Sequence, residues 1–99
     1  MIFKWLSEKV PVTSFVKKRM NGDMLIVCSD SLALYYFNST AAFFLNSING
    51  KLTVNEIKKI FLEKYDVEEK NLESDLVEII RELQWKKILK MRDDNERSV

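Results

Sequence analysis

Residues 34–56 read LYYFNSTAAFFLNSINGKLTVNE, and this stretch decides the fold. It predicts an aromatic strand that ends at Phe37, followed by residues 38–40, whose side-chain oxygens are able to cap a helix. The apolar residues 41–45 and Ile48 then predict a short helix over residues 39–48. A strand is therefore expected to pass directly into a largely apolar helix.

The same stretch contains the end of that helix and the start of a second one. Asn49 and Gly50 both tolerate the left-handed backbone conformation that often ends a helix, so we expect the first helix to stop there. Thr53 begins the next helix, and Glu56, three residues later, completes a predicted capping box.

Residues before this stretch predict a three-stranded antiparallel meander. We expect strands over residues 14–19, 24–29 and 32–37, each bounded by a turn signal. Asn21-Gly22 is a strong hairpin signal, because both residues accept a positive φ. Residues 29–31, Ser-Asp-Ser, predict the second turn.

Three helices are predicted after the strands, over residues 39–48, 54–65 and 72–85. In the third helix, apolar residues recur at helical spacing, namely Leu72, Leu76, Ile79, Ile80 and Leu83. Residues 88–91 are apolar enough to form a last packed segment. The sequence thus predicts an α+β, winged-helix-like fold, in which a three-stranded antiparallel sheet is followed by three helices.

The domain organisation is expected to be simple, because 99 residues suffice for one small domain with one core. We assign residues 1–13 to an N-terminal arm, where Pro11 argues against a regular element. Residues 14–91 form the one predicted folded domain, and residues 92–99 a flexible C-terminal tail.

Composition and charge describe an ordinary globular protein, with 46% hydrophobic residues and a formal net charge of +1. Charge alone therefore predicts no phosphate-binding surface. The longest apolar run, residues 41–45, is too short to span a bilayer, which takes about 20 residues. We see no secretion signal, and the single cysteine, Cys28, predicts a reducing cytoplasmic location and a buried structural thiol.

The sequence contains no histidine, the commonest general base and metal ligand at neutral pH. It also has no Gly-rich phosphate loop and no metal-ligand spacing. We therefore predict that the protein is not an enzyme, and that it has no metal site and no cofactor.

Several short motifs, taken in order, resemble the PqqD family, the small peptide-binding chaperones also called RiPP recognition elements. These motifs are Phe37-Asn38 with residues 40–42, Asn49-Gly50, the capped start over residues 53–57, residues 65–67, and Asp75 in an apolar helix ending near Leu83. The resemblance covers about residues 14–90. It implies a binding module.

The resemblance also implies the ligand and the partners. Family members bind the leader segment of a ribosomally made precursor peptide, as an added strand against the third strand and beside the third helix. A partner enzyme then modifies the core segment of that peptide. The implied partner is a modifying enzyme such as a radical SAM enzyme, or a leader peptidase.

The third predicted strand suits this mechanism, because it is an edge whose unpaired backbone groups a peptide can satisfy. Exposed edges usually carry a charge or a proline that blocks pairing, and residues 32–37 have neither. An open edge also permits a dimer. The predicted peptide-binding residues come from this strand and the third helix: Leu32, Leu34, Tyr35, Tyr36, Asp75, Leu76, Ile80 and Arg81.

Alternation along the strand divides its side chains into two faces. Phe37 is expected in the core, so that Tyr35 or Tyr36 flanks a bound peptide; strand propensity alone is an equal explanation for the tyrosine pair. On the third helix, Leu76, Ile80 and Leu83 are expected to combine core and groove roles. The neighbouring Asp75, Glu78, Arg81 and Glu82 are expected to supply rim charges.

The two tryptophans have different predicted roles. Trp85 is expected to fill the core, with an interface anchor as the alternative, whereas Trp5 is expected to contact a partner chain.

The alternative function is a DNA-binding winged-helix regulator. A recognition helix needs hydrogen-bond donors towards phosphates and bases, and the third helix is acidic, so we predict no nucleic-acid partner. Because the longest apolar run is too short to span a bilayer, we also predict no membrane partner.

Overall fold

The computed structural model describes residues 2–14 and 17–93, and in these ranges four helices and five strands form a mixed α+β arrangement. The elements are α1 (Ile2–Ser7), β1 (Val10–Thr13), β2 (Lys17–Asn21), β3 (Met24–Cys28), β4 (Leu34–Phe37), α2 (Ser39–Ser47), α3 (Val54–Lys64), α4 (Glu69–Trp85) and β5 (Leu89–Arg92). The predicted fold class, a three-stranded antiparallel sheet followed by helices, is confirmed. Its likeness to winged-helix proteins stays a prediction.

The three-stranded sheet has the order β2-β3-β4. Asn21 pairs with Met24 across a two-residue loop, and Gly22 in that loop has φ +65°, which confirms the predicted hairpin. Asn21 itself remains in the strand. The first predicted strand is displaced, since Ser14 lies outside β2 and residues 15 and 16 lie outside the described ranges.

The turn between β3 and β4 is longer than predicted. The Ser29 backbone N–H donates to the Ala33 carbonyl at 2.9 Å, and the Leu32 N–H donates to the Ser29 carbonyl at 2.9 Å. Leu32 has φ +66°, a left-handed conformation that a strand residue does not adopt. The prediction that the third strand begins at Leu32 is therefore wrong, and β4 begins at Leu34.

Residues 2–13 form regular structure, so the prediction from Pro11 is wrong. Pro11 lies in β1 opposite Met91 of β5, in an antiparallel two-stranded sheet. Both strands of such a sheet are edges, where proline is tolerated. Leu6 and Val10 from this region are buried. Of the predicted tail, Arg92 ends β5, and residues 94–99 lie outside the described ranges.

Helix α2 begins and ends close to the predicted positions. The Asn38 side chain caps its start by accepting from the Ala41 N–H at 3.0 Å. The helix ends at Ser47 with Ile48 as its C-cap, directly before Asn49-Gly50, which confirms the predicted stop. Of these two residues Gly50 has a positive φ, +78°, whereas Asn49 contributes its side-chain oxygen, which accepts from the Lys51 and Leu52 N–H groups.

The predicted capping box of α3 is confirmed. Thr53 Oγ1 accepts from the Glu56 N–H at 3.2 Å, and Glu56 Oε1 accepts from the Thr53 N–H at 2.8 Å. The following helix, α4, begins at Glu69, almost one turn before the predicted start at Leu72.

The core is built on one stripe of α4. It contains Leu72, Leu76, Ile80 and Leu83, all buried. Against this stripe pack the buried residues of the other elements, Leu6, Leu25, Val27, Phe37, Ala41, Ala42, Phe44, Leu45, Val54, Ile57, Phe61, Ile88 and Leu89. Burial of each large aliphatic side chain stabilises the fold by about 1.5–3 kcal/mol.

Trp85 does not join this core. Its side chain is 87% exposed, so the prediction that it fills the core is wrong. Trp85 follows Leu83 by two residues, which places it about 200° around the helix from the buried stripe.

An ion-pair network joins α3 to α4. Lys58 is buried, and its Nζ lies 2.7 Å from Glu69 Oε2 and 2.9 Å from Glu73 Oε2. Desolvation lowers the pKa of Lys58, but the hydrogen bonds and charges of the two carboxylates outweigh it, so the pKa is raised above its ordinary value. The hydrogen bond from Lys58 lowers the pKa of Glu69.

We expect Thr53→Ala to destabilise the protein by about 1 kcal/mol, because it removes one half of the capping box. Thr53→Ser keeps the hydroxyl and serves as the control. Urea unfolding measures both free energies; an alanine variant as stable as the serine variant would contradict the assigned role.

We expect the stability cost of Glu69→Gln to depend on pH. The folded pKa of Glu69 lies below its unfolded value, so the ionised form stabilises the protein above the unfolded pKa of roughly 4.3. That contribution is lost as the pH falls through the folded pKa. The free-energy difference between wild type and variant should therefore shrink in acid.

Urea unfolding at several pH values between neutral and acidic checks this expectation. Glu63→Gln is the control, because Glu63 is exposed and has no ion pair in the described part of the chain. A Glu69→Gln cost that stays constant down to the most acidic pH would show that the ion pair does not stabilise the fold.

Candidate functional site

The free edge of β4 follows from its hydrogen-bonding pattern. Ser29 and Ala33 face each other where β3 and β4 converge, and the Ser29 N–H donates to the Ala33 carbonyl at 2.9 Å. Opposite pairs in an antiparallel sheet alternate between bonded and non-bonded. Tyr35 and Phe37 therefore bond to β3, while Leu34 and Tyr36 point their N–H and C=O groups away from the sheet.

No strand of the described ranges covers this edge, since β4 is the last strand of its sheet. Its outward N–H groups have no protein partner among the described hydrogen bonds. Two donors and two acceptors thus lie in a row, which is the arrangement that an added strand can pair with.

A groove of about 390 Å³ runs beside this edge. One wall is the end of β4 with the start of α2, and the other is one face of α4. The residues that line it are Tyr36, Phe37, Asn38, Thr40, Ala41, Asp75, Glu78, Ile79 and Glu82. The groove opens to solvent, so an extended segment has access to both the strand edge and the helix.

The α4 wall is acidic around one apolar residue. Ile79 is half-buried, and Asp75 and Glu82 lie four residues before it and three after it, on the same side of the helix. Lys86 Nζ donates to Glu82 Oε1 at 2.9 Å and lies 5.3 Å from the centre of the Tyr35 ring. Asp75 and Glu78 form no ion pair within the described residues.

The two faces of β4 divide as predicted. Phe37 is buried and Tyr35 half-buried on the inner face, whereas Leu34 and Tyr36 are 58% and 61% exposed on the outer face. Tyr36 forms the ridge between the groove and a depression on that outer face, which is also lined by Ile26, Cys28, Leu34 and the basic residues 17–19.

Cys28 lies in this outer depression and is half-buried. The prediction of a buried thiol is therefore wrong. Its place follows from alternation, because Leu25 and Val27 occupy the inner face of β3 and the residues between and beyond them face outward.

The structure brings some predicted site residues together. Tyr36 and Asp75 face each other across the groove, and Leu34 precedes Tyr36 on the same edge and face. Tyr35 lies behind them on the inner face, where it contacts Lys86. Leu32 is exposed in the preceding turn and does not belong to the strand.

Three predicted residues of α4 lie elsewhere. Leu76 and Ile80 are fully buried, so their predicted core role is observed but they offer no surface to the groove. Arg81 lies about 120° around the helix from Asp75 and lines a different depression, next to Phe3 and Lys4 of α1. The groove wall assigned to these residues is formed instead by the face that carries Ile79.

Sequence reasoning missed Ile79, Asn38 and Thr40 as groove residues. Ile79 reads as one more apolar position of α4, and only its spacing from Asp75 and Glu82 marks it as belonging to their face. Asn38 and Thr40 read as helix-capping residues. Their position in the groove depends on how α2 packs beside α4, which no local pattern encodes.

Other kinds of site find no support in residues 2–14 and 17–93. These ranges contain no group of three histidine, cysteine, aspartate or glutamate side chains placed to hold a metal ion. None of the helices described there combines the length and the apolar character needed to cross a membrane.

Comparison with known proteins identifies a family for this chain. A family model described as "Coenzyme PQQ synthesis protein D (PqqD)" matches residues 25–89. No curated protein and no solved structure matches the chain. The matched region begins in β3 and ends in β5, so it contains the free edge of β4, the groove and all of α4.

Amide hydrogen exchange tests the polarity of the β4 edge. We expect the amides of Leu34 and Tyr36 to exchange fast and those of Tyr35 and Phe37 to be protected, because only the second pair bonds to β3. Residue-resolved exchange measured by NMR checks this. Protection of Leu34 and Tyr36 in the isolated monomer would contradict the assigned free edge.

Proposed function

Because the chain belongs to the PqqD family, we propose that it binds the leader segment of a ribosomally synthesised precursor peptide by strand addition to β4. PqqD proteins are non-catalytic binding proteins that act together with partner enzymes in peptide modification. The bound precursor is presented to a modifying enzyme, such as a radical SAM enzyme, or to a leader peptidase. Binding of this kind needs no cofactor.

The observation that carries the proposal is the row of outward backbone groups on Leu34 and Tyr36 beside an open groove. An extended leader segment pairs with these groups and becomes a fourth strand of the sheet. Backbone pairing supplies affinity with little dependence on sequence. Selectivity then comes from side chains on the two sides of the added strand.

Those two sides differ in chemistry. Alternate leader side chains point inward to the groove and contact the α4 wall, where Ile79 and its acidic neighbours lie. The intervening side chains point outward, beside Leu34 and Tyr36. Tyr36 offers both an aromatic surface and a hydroxyl to the leader, a combination that favours binding at a partly wet interface.

The competing function, DNA binding, is not favoured by the exposed face of α4. That face presents Asp75, Glu78 and Glu82 beside the groove, whereas a recognition helix presents donors to phosphates and base edges. Carboxylates at these positions repel the phosphate backbone.

Proline variants of the β4 edge test the proposal. Leu34→Pro and Tyr36→Pro each remove one outward N–H without removing a bond to β3, and edge strands tolerate proline. We expect each to weaken leader binding at least about tenfold, which corresponds to roughly one lost hydrogen bond. The effect should exceed that of Glu78→Ala. The probe is a synthetic leader segment, taken from a short precursor gene to be sought beside this gene, with affinity measured by calorimetry.

Met20→Pro is the matched control on the opposite edge of the same sheet. Because the backbone groups of Val27 face β4, those of Ile26 and Cys28 face β2, so Met20 of β2 points its N–H to solvent. It should leave leader binding unchanged. Equal losses in all three variants, or none, would show that β4 is not the docking edge.

A salt series separates the two candidate functions. Leader binding by strand addition should weaken only mildly as salt rises, whereas duplex DNA binding weakens steeply because counterions are released. Tight, salt-sensitive binding of duplex DNA together with no binding of the neighbouring leader would overturn the proposal.

A further inference from the structure

We propose that the leader accepted by this groove carries basic side chains at alternate positions, on the face that meets α4. The inference rests on strand addition to β4 and specifies the class of peptide. Three features of the groove wall on α4 support a basic leader: its charge, the spacing of its carboxylates and its apolar surface.

The groove lining carries more negative than positive charge. The described residues that line it include three carboxylates, Asp75, Glu78 and Glu82, and no lysine or arginine. Of the three, Glu82 alone has an ion-pair partner within the described ranges, since Lys86 donates to it. Asp75 and Glu78 are exposed, and Glu78 also borders the depression lined by Lys58, Lys70 and Arg81. A basic leader side chain therefore finds Asp75 and Glu78 accessible and without an ion pair in the described part of the chain.

The spacing of the carboxylates suits long side chains at alternate positions of a strand. The helical rise is about 4.5 Å from Asp75 to Glu78 and about 6 Å from Glu78 to Glu82, because each residue advances about 1.5 Å. Alternate residues of a strand, which share one face, are about 6.7 Å apart. Along α4, alternate leader side chains are therefore about 1–2 Å further apart than successive carboxylates, a difference that the long, flexible side chains of lysine and arginine can span.

An apolar surface lies between these carboxylates. Ile79 is half-buried on the groove wall, with Asp75 and Glu82 on the same side of the helix. Lysine and arginine pack their aliphatic stems on apolar surface while their charged heads reach outward. The wall thus contacts both parts of a basic side chain, whereas an acidic side chain is repelled and gains no partner.

The opposite face of the leader meets different residues. Side chains that point outward lie beside Leu34 and Tyr36, which are exposed and border a depression that also contains Ile26 and Cys28. The basic residues 17–19 of this depression belong to β2, at the opposite edge of the sheet, and the described residues that line it offer no carboxylate to a basic side chain. Apolar or aromatic leader side chains suit these positions. The recognised segment therefore alternates basic and apolar residues.

Three synthetic peptides test this inference, in which valine alternates with lysine, with glutamine or with glutamate. Fluorescence anisotropy gives the dissociation constants at low and at physiological salt. Two partly exposed ion pairs predict that the lysine peptide binds about tenfold more tightly than the glutamine peptide. The glutamate peptide should bind most weakly, and the differences should shrink with salt.

Matched variants locate the charge preference. Asp75→Asn combined with Glu78→Gln should abolish the difference between the lysine and glutamine peptides. Asp66→Asn combined with Glu63→Gln removes the same two charges away from the groove, from exposed residues, and should preserve it. Persistence of the preference in the groove variant would overturn the inference.

The outcomes also distinguish this inference from strand addition itself. If all three peptides bind equally and Leu34→Pro weakens all of them, the basic preference is wrong and strand addition stands. If the lysine peptide binds Leu34→Pro as tightly as wild type, docking on β4 is wrong. If the lysine peptide fails to bind while the natural leader binds, only the basic preference is overturned.

Discussion

Burial of one stripe of α4 is the constraint on which the rest of this structure depends. The core contains Leu72, Leu76, Ile80 and Leu83 together with buried residues of the three-stranded sheet, the other helices and β5. Because a helix turns by about 100° per residue, turning this stripe inward also determines where every other α4 side chain points. The acidic face comes to lie along the open edge of β4. The helix that stabilises the fold therefore also sets the chemistry of the groove.

The parts of the fold that sequence predicted are those encoded by neighbouring residues. The capping box of Thr53, the Asn38 cap and the turn at Gly22 each need only contacts within a few residues, and all three are observed. The errors arise where distant residues decide. Pro11 enters a strand because β5 lies beside it. Trp85 is exposed because it lies on the face of α4 away from the buried stripe, and which face is buried depends on the elements that pack against α4.

The candidate site divides in the same way. Alternation along β4 correctly separated Phe37 from Tyr36, since strand faces depend on local geometry alone. On α4 the helical spacing was read correctly, but which face meets β4 depends on packing. The predicted groove wall therefore included Leu76 and Ile80, whereas the residue that lies there is Ile79, three positions after Leu76 and directly before Ile80.

The pairing of β1 with β5 has a consequence for folding kinetics. Val10 pairs with Arg92, so nearly the whole described chain lies in the loop that this pairing closes. The entropy cost of closing a loop rises with its length, and it falls once the intervening strands and helices have drawn the two segments together. We therefore expect this sheet to form after the main barrier. Contacts formed late govern the unfolding rate more than the folding rate. We therefore expect the β1–β5 pairing, which lies away from the groove beside β4, to govern how long the native state persists before it unfolds.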